Sequence, residues 1–347
     1  MTEHRWLRVF GDQLARCGLR PGEVVAVLSE STSRALLVET ARIAAQLHGA
    51  DVVDVVVPTP PNPHPVPIRS TGASQAIAGN RAAIAALAAA DLVLDCTVEG
   101  LLHAPELGAV LAGGARVLMF SNEHPETFER YAFDADLARR VELGAAWLRA
   151  AAELHVTSDA GTNLIVQLAG SVVAGSTGLA TEPGSIAHWP GGLVAAFPAA
   201  HSVHGRVVLA PGDLNLTFKR YVELPVLLVI EDDHVIEVLG DGVDARLLRS
   251  YLAAFDGAAC ATSHLGWGMN PSARWDYLAL YDKADSNGTE ARVCAGNFLY
   301  STGANEHAGR FTAGHFDLPL LDHTITLDGR VVVAAGTLDP ELAPVKI

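Results

Sequence analysis

The sequence has only four cysteines, Cys17, Cys96, Cys260 and Cys294, far apart and without a CxxC pair. Reduced, buried thiols in a cytoplasmic protein are therefore expected. Positive charge is also short: 24 Lys and Arg against 39 Asp and Glu give a formal charge of -15. Neither a nucleic-acid backbone nor an anionic membrane is an expected partner of such a chain. No stretch approaches the ~20 apolar residues of a membrane span. The opening MTEHRWLRVFGDQLARCG is amphipathic and lacks the continuous apolar core of a signal peptide. No G-x-G-x-x-G follows the first apolar run and no G-x-x-x-x-G-K occurs, so a nucleotide site in the first half has no support.

What is present is a globular composition: half of the 347 residues are apolar and 18% are charged. The length suggests two domains. Residues 1–154 read as an α/β domain. EVVAVLSES, DVVDVVVPTP, DLVLDCTV and ARVLMFS are short apolar runs, and SRALLVETARIAAQLHG and AIAGNRAAIAALAAA between them carry helical spacing. Strands alternating with helices predict a parallel sheet covered on both faces. A helix over DADLARRVELGAAWLRAAAELHV leads into the second half. Residues 155–347 read as an α+β domain rich in antiparallel strands, with short β-rich runs divided by Gly, Pro and Asp. LLVIEDDHVIEVLG predicts a hairpin with an acidic turn. GVDARLLRSYLAAF predicts a helix capped by Asp241.

The stretch TAGHFDLPLLDHTITLDG places His315 and Asp317 two residues apart beside an apolar run. Alternate residues of a strand share a face, so this pair aims an imidazole and a carboxylate at one point. That supplies two of the three ligands of a mononuclear metal site. Most of the fourteen histidines offer no third. His4, His48, His64, His124, His155 and His234 fall in capping, linker or turn contexts. His201 and His204 would share a face only on a helix, which Pro198 and Gly205 oppose. His323 has the right parity but lies past Pro319. His264, in CATSHLGWGMNPSARWDYL, precedes a Gly-rich turn, and loops on a rigid scaffold are where ligands gather. Two imidazoles and a carboxylate form the facial triad that suits non-haem Fe(II), and they also suit catalytic zinc.

At these residues the chain resembles a known family. TSHLGWGMNPSARW, GNFLYSTGAN and AGHFDLPL are similar to metal-site segments of the Fe(II)-dependent 2,5-dihydroxypyridine 5,6-dioxygenases, whose fold is related to thermophilic leucyl-aminopeptidase-like metallopeptidases. The resemblance implies that His264, His315 and Asp317 are the iron ligands. PGGLVAAFP resembles a peptidase metal segment, with Leu193 where a Glu ligand would stand; Leu299 replaces a further histidine. These exchanges would turn a dinuclear hydrolytic site into a mononuclear one. The alternatives are a metalloaminopeptidase and a non-catalytic binding protein on a degenerate peptidase scaffold.

The resemblance implies ring opening of 2,5-dihydroxypyridine by O2 to N-formylmaleamate. A base that is not a ligand should accept a ring-hydroxyl proton, and histidine suits that role. His103, in CTVEGLLHAPEL after a predicted strand, and His188, in GSIAHWPGG, match the histidines of that family's substrate pocket. Arg292 and Arg310 are candidates for holding substrate oxygens. Ser301 and Thr302 are candidates for donating hydrogen bonds near the metal. Trp189, Trp267 and Trp275 could wall an aromatic pocket or sit in the core. A small aromatic substrate and O2 are the expected partners, in a cytoplasmic homo-oligomer by base rate.

Overall fold

The computed structural model describes residues 1–65, 73–131 and 133–344. The first half forms the expected parallel sheet. Strands Val24–Glu30, Asp51–Val57, Leu92–Asp95 and Arg116–Met119 lie in spatial order second, first, third, fourth. Alternation sorts their side chains to two apolar faces. Val25, Val27, Leu92, Leu94 and Leu118 pack under helices His4–Arg16 and Ala35–Leu47. Ala26, Leu28, Val93 and Val117 pack under Arg81–Ala88 and Leu107–Ala112. Helix Arg81–Ala88 is shorter than its apolar spacing predicts, because the Asn80 side chain accepts the Ala83 amide and starts it there.

Among the described residues the second half holds two large antiparallel sheets and a two-stranded one, Leu214–Asn215 with Arg220–Tyr221. The outer one has eight strands and the central one five. The central sheet runs in the order Arg310–Leu320, Phe298–Asn305, Thr262–Gly268, Leu193–Phe197, Val172–Ser176. One of its faces, with Val194, Ala196, Leu265, Trp267, Phe298, Tyr300, Phe316 and Leu318, joins the main core shared with the outer sheet. The other face looks toward the parallel sheet. The predicted hairpin pairs Val226–Glu231 with His234–Leu239 around Asp232 and Asp233, both at positive φ.

Three expectations change. The helix after 134 ends at Ala150, and Glu153–Thr157 is already a strand of the outer sheet. The cap of helix Val243–Ala253 is the extended backbone of Gly242, not Asp241, and no side chain caps it. A Cβ on Gly242 would lie 3.1 Å from the Leu224 side chain, so close packing selects glycine there. Finally, a division at 154/155 is crossed in both directions. Strand Ile186–His188 pairs parallel with Arg116–Met119 as the fifth strand of the first sheet. Helix Leu137–Ala150, in turn, buries Val141, Ala145 and Leu148 in the core of the second half.

Candidate metal centre and its cavity

His315 and Asp317 occupy the site face of strand Arg310–Leu320, while Phe316, Leu318 and Leu320 between and beyond them enter the core. The predicted convergence is observed: His315 Nε2 lies 3.1 Å from Asp317 Oδ1. His264 is not in a loop. It is buried within strand Thr262–Gly268, whose glycines pack rather than turn; a Cβ on Gly266 would lie 1.9 Å from the Val194 carbonyl oxygen. Against its neighbour that strand carries one extra residue between Thr262 and Leu265. Such a bulge re-aims a side chain, and His264 Nε2 comes within 3.7 Å of Asp317 Oδ1. Ser301, the cross-strand partner of Asp317, donates its hydroxyl to Asp317 Oδ1 and lies 3.2 Å from His264 Nε2.

The opposite wall comes from the carboxyl edge of the parallel sheet, where open α/β sheets take ligands. His103 follows strand Leu92–Asp95 in a loop tied by two buried carboxylates. Asp95 accepts the Thr97 and Leu101 amides at 3.0 and 2.8 Å, and Glu30 accepts the Val98 amide at 2.6 Å. Burial raises the Asp95 carboxyl to about 6 despite those bonds. His103 Nδ1 lies 2.9 Å from Glu306 Oε1, a carboxylate of the central sheet's side. Burial, the largest single influence, pushes Glu306 up, but the hydrogen bond and charge of His103, a backbone hydrogen bond and the charge of His315 together leave it below the usual range. The ring of His103 sits 4.4 Å from that of His315 and 5.7 Å from that of His264. Nitrogens of these three imidazoles all fall within 4.8 Å of one another.

His188 ends the crossing strand. Its Nδ1 faces the Pro190 carbonyl at 3.3 Å and its Nε2 the Ser121 hydroxyl at 3.1 Å. These partners assign the proton to Nδ1. Burial first, then the Arg292 guanidinium, lower His188 to about 4, so it is neutral at pH 7. Burial also holds His264 well below, and His315 below, the ordinary histidine value, against the pull of Asp317. Asp317 goes the other way. Burial raises it, but Arg292, with its Nε 2.6 Å from Oδ2, and the two imidazoles hold it well below the carboxylate range.

Between the walls lies a cavity of about 150 Å³ lined by His103, His188, His264, Arg292, His315 and Asp317, with Phe197 and Leu193 as apolar walls. The structure thus brings together six of the nine residues singled out by sequence as ligand, base or substrate contact, with Ser301 bonded just behind them as a seventh. Thr302 and Arg310 are the exceptions: alternation turns Thr302 to the core side with Tyr300, where its hydroxyl has no partner. Arg310 is spent on the Thr262 carbonyl and Asp233. The three tryptophans do not line the cavity. Trp189 stacks on Phe128, Trp267 is in the main core, and Trp275 donates to the Gly212 carbonyl. Sequence reasoning missed Glu306, Ser121 and Phe197. Only the E-H pair of GANEHAGR hints at the first.

A metal fits these residues. His315 Nδ1 is buried without a hydrogen-bond partner, and such an atom costs free energy unless a ligand meets it. Buried imidazoles with one carboxylate suit Fe(II) or zinc. The fold and the cavity fit an enzyme that encloses a small molecule between two sheets, beside residues that could hold a metal.

The family model for NicX, 2,5-dihydroxypyridine 5,6-dioxygenase, matches residues 5–340. The 2,5-dihydroxypyridine 5,6-dioxygenase of Pseudomonas putida KT2440 is 38% identical over 317 residues, 90% of this chain and 89% of its own. The chain therefore belongs to the 2,5-dihydroxypyridine 5,6-dioxygenase family, a family of ring-cleaving dioxygenases. The solved structure of 2,5-dihydroxypyridine dioxygenase from P. putida KT2440 matches with a TM-score of 0.90 at 36% identity, over 98% of each chain. Wild-type AmpT from Thermus thermophilus matches with a TM-score of 0.56 at 15% identity, over 95% of this chain and 99% of its own. That likeness shows a shared aminopeptidase-like fold alone. The dioxygenase reading therefore stands over the metalloaminopeptidase.

Proposed function

We propose that the chain opens the ring of 2,5-dihydroxypyridine, or a close hydroxylated N-heteroaromatic, with O2 to give N-formylmaleamate, using Fe(II). The observation that carries this is the pairing of two walls on one cavity: His264, His315 and Asp317 converge on one side, and His103 and His188 face them. His264, His315 and Asp317 would hold the iron. Bound Fe(II) supplies the one-electron chemistry that lets O2 react with a closed-shell ring. The remaining steps belong to the chain. Asp317 brings the one anionic donor, and Arg292 pins its far oxygen so that Oδ1 faces the site. His103 Nε2, buried and unpartnered, takes the ring-hydroxyl proton. His188, neutral and fixed by Ser121 and Pro190, orients the ring. Phe197 and Leu193 exclude water.

No helix among the described residues is long and apolar enough to cross a membrane. All four cysteines are free, which supports the reading of a cytoplasmic protein. A symmetric homo-oligomer is part of the same proposal, on base rate. Protein purified without oxygen should contain one iron per chain and consume O2 with 2,5-dihydroxypyridine. Two metals ~3.5–4 Å apart, with no O2 uptake, would overturn the reading.

A further inference from the structure

We propose that Glu306 is a positioning residue that fixes His103 as the tautomer protonated on Nδ1, so that Nε2 presents its lone pair to the cavity. The inference rests on the reading of His103 as the group that takes the substrate proton, and extends it to how that group is kept competent. A carboxylate only accepts hydrogen bonds. The 2.9 Å contact from Glu306 Oε1 therefore requires a hydrogen on His103 Nδ1. In the neutral ring the other nitrogen is then the acceptor. That nitrogen, Nε2, is buried and has no partner. His103 lines the cavity, so a bound ligand can meet that nitrogen there. Without Glu306 the ring could carry its hydrogen on Nε2, pointing a donor where an acceptor is needed.

Glu306 is well placed to impose this. It opens the short turn Glu306–Ala308, where the Asn305 side chain accepts the Ala308 amide at 3.1 Å. The Asn305 amide in turn donates to the Pro198 carbonyl at 2.9 Å. The carboxylate thus stands on the end of strand Phe298–Asn305, the strand that also carries Ser301 behind Asp317. One strand of the central sheet therefore sets both the metal side and, across the cavity, the orientation of the facing histidine. His103 itself is enclosed, with 1% of its side chain exposed against 24% for Glu306.

The test uses the full chain with ¹⁵N-labelled histidine, metal-free and zinc-loaded, and His103→Asn to assign the signals. In the wild type, His103 should show a protonated Nδ1 and an unprotonated Nε2. Glu306→Ala should move the hydrogen to Nε2 or mix the two forms. It should lower kcat of the iron enzyme by about 10–100-fold, the usual cost of losing such an orienting partner. KM and iron content should stay within about threefold of wild type. Glu306→Asp should restore part of both signals. Unchanged ring nitrogens and kcat in Glu306→Ala would overturn the proposal. If His103→Ala kept wild-type kcat, the reading of His103 as base would fail instead, and the nitrogen signals would still decide whether Glu306 sets the tautomer.

Discussion

The two walls of the cavity are built by different means. On the central sheet, strand register and one bulge place the chemistry: Asp317 pairs with Ser301 and His315 with Gly303 in one ladder, and the bulge before Leu265 brings in His264. At Gly303 the strands approach so closely that a Cβ would lie 2.0 Å from the Gly314 carbonyl oxygen. On the parallel sheet, His103 stands beyond the strand end at Asp95, where no ladder reaches it. Its position depends on Glu30 and Asp95, which tie its loop, and on Glu306, which holds its ring. A ladder gives the fixed geometry that a metal needs. A loop braced by carboxylates gives a group that can exchange a proton with a ligand.

Breaking the ladder wall should have the largest effect. Asp317→Ala should abolish turnover and most iron binding, and Asp317→Asn should also fail because it keeps the shape without the charge. Full activity with stoichiometric iron in either variant would remove Asp317 from the metal side. The loop wall should behave differently. His103→Ala or His188→Ala should keep iron while kcat falls by about 10²–10⁴. Raising the pH should partly rescue His103→Ala, since solvent then takes the proton, and should not rescue the His188 or Asp317 variants. Loss of iron from either histidine variant would move that residue to the metal side.

A smaller effect concerns stability in acid. His188 stands at about 4 in the folded chain, against about 6.5 when unfolded. Between these values the unfolded chain binds more protons, so this contribution is complete above about pH 6.5 and lost as pH falls toward 4. It amounts to at most about 3 kcal/mol at about 1.4 kcal/mol per unit. His188→Gln should flatten the acid side of the urea midpoint plotted against pH; an identical slope would show that His188 is not shielded. The smallest effect should come from Thr302. Its hydroxyl is buried without a partner, at a cost of about 1–3 kcal/mol for such a group. Thr302→Val should raise Tm and leave kcat within about twofold, whereas a large fall in kcat would return Thr302 to the site.

The parallel sheet was legible because each strand and helix announces its own period. The His315–Asp317 pair was legible for the same reason, since two residues on one strand need no knowledge of the rest of the fold. His264 does lie near them, but within a strand and not in the loop setting that its neighbours suggested. Glycine in HLGWG reads as a turn signal, while here it admits a neighbouring backbone. Ser301 and Thr302 are adjacent, so only the strand's parity separates site from core, and one sequence does not fix that parity. Glu306 was out of reach because it meets a residue 203 positions away. The crossing strand was hidden too, as three residues, Ile186–His188, carry too little pattern to announce a sheet partner.

That crossing strand has a consequence for synthesis. Arg116–Met119 can complete its pairing only after Ile186 and His188 exist. The ribosome must add the 67 residues from Met119 to Ile186, which takes about 3–13 s at roughly 5–20 residues per second. During that interval the nascent parallel sheet has an open apolar edge. Stalled chains should gain protease protection over residues 24–119 only once residue 188 has cleared the exit tunnel; protection of chains stalled well before it would show that the first four strands close on their own.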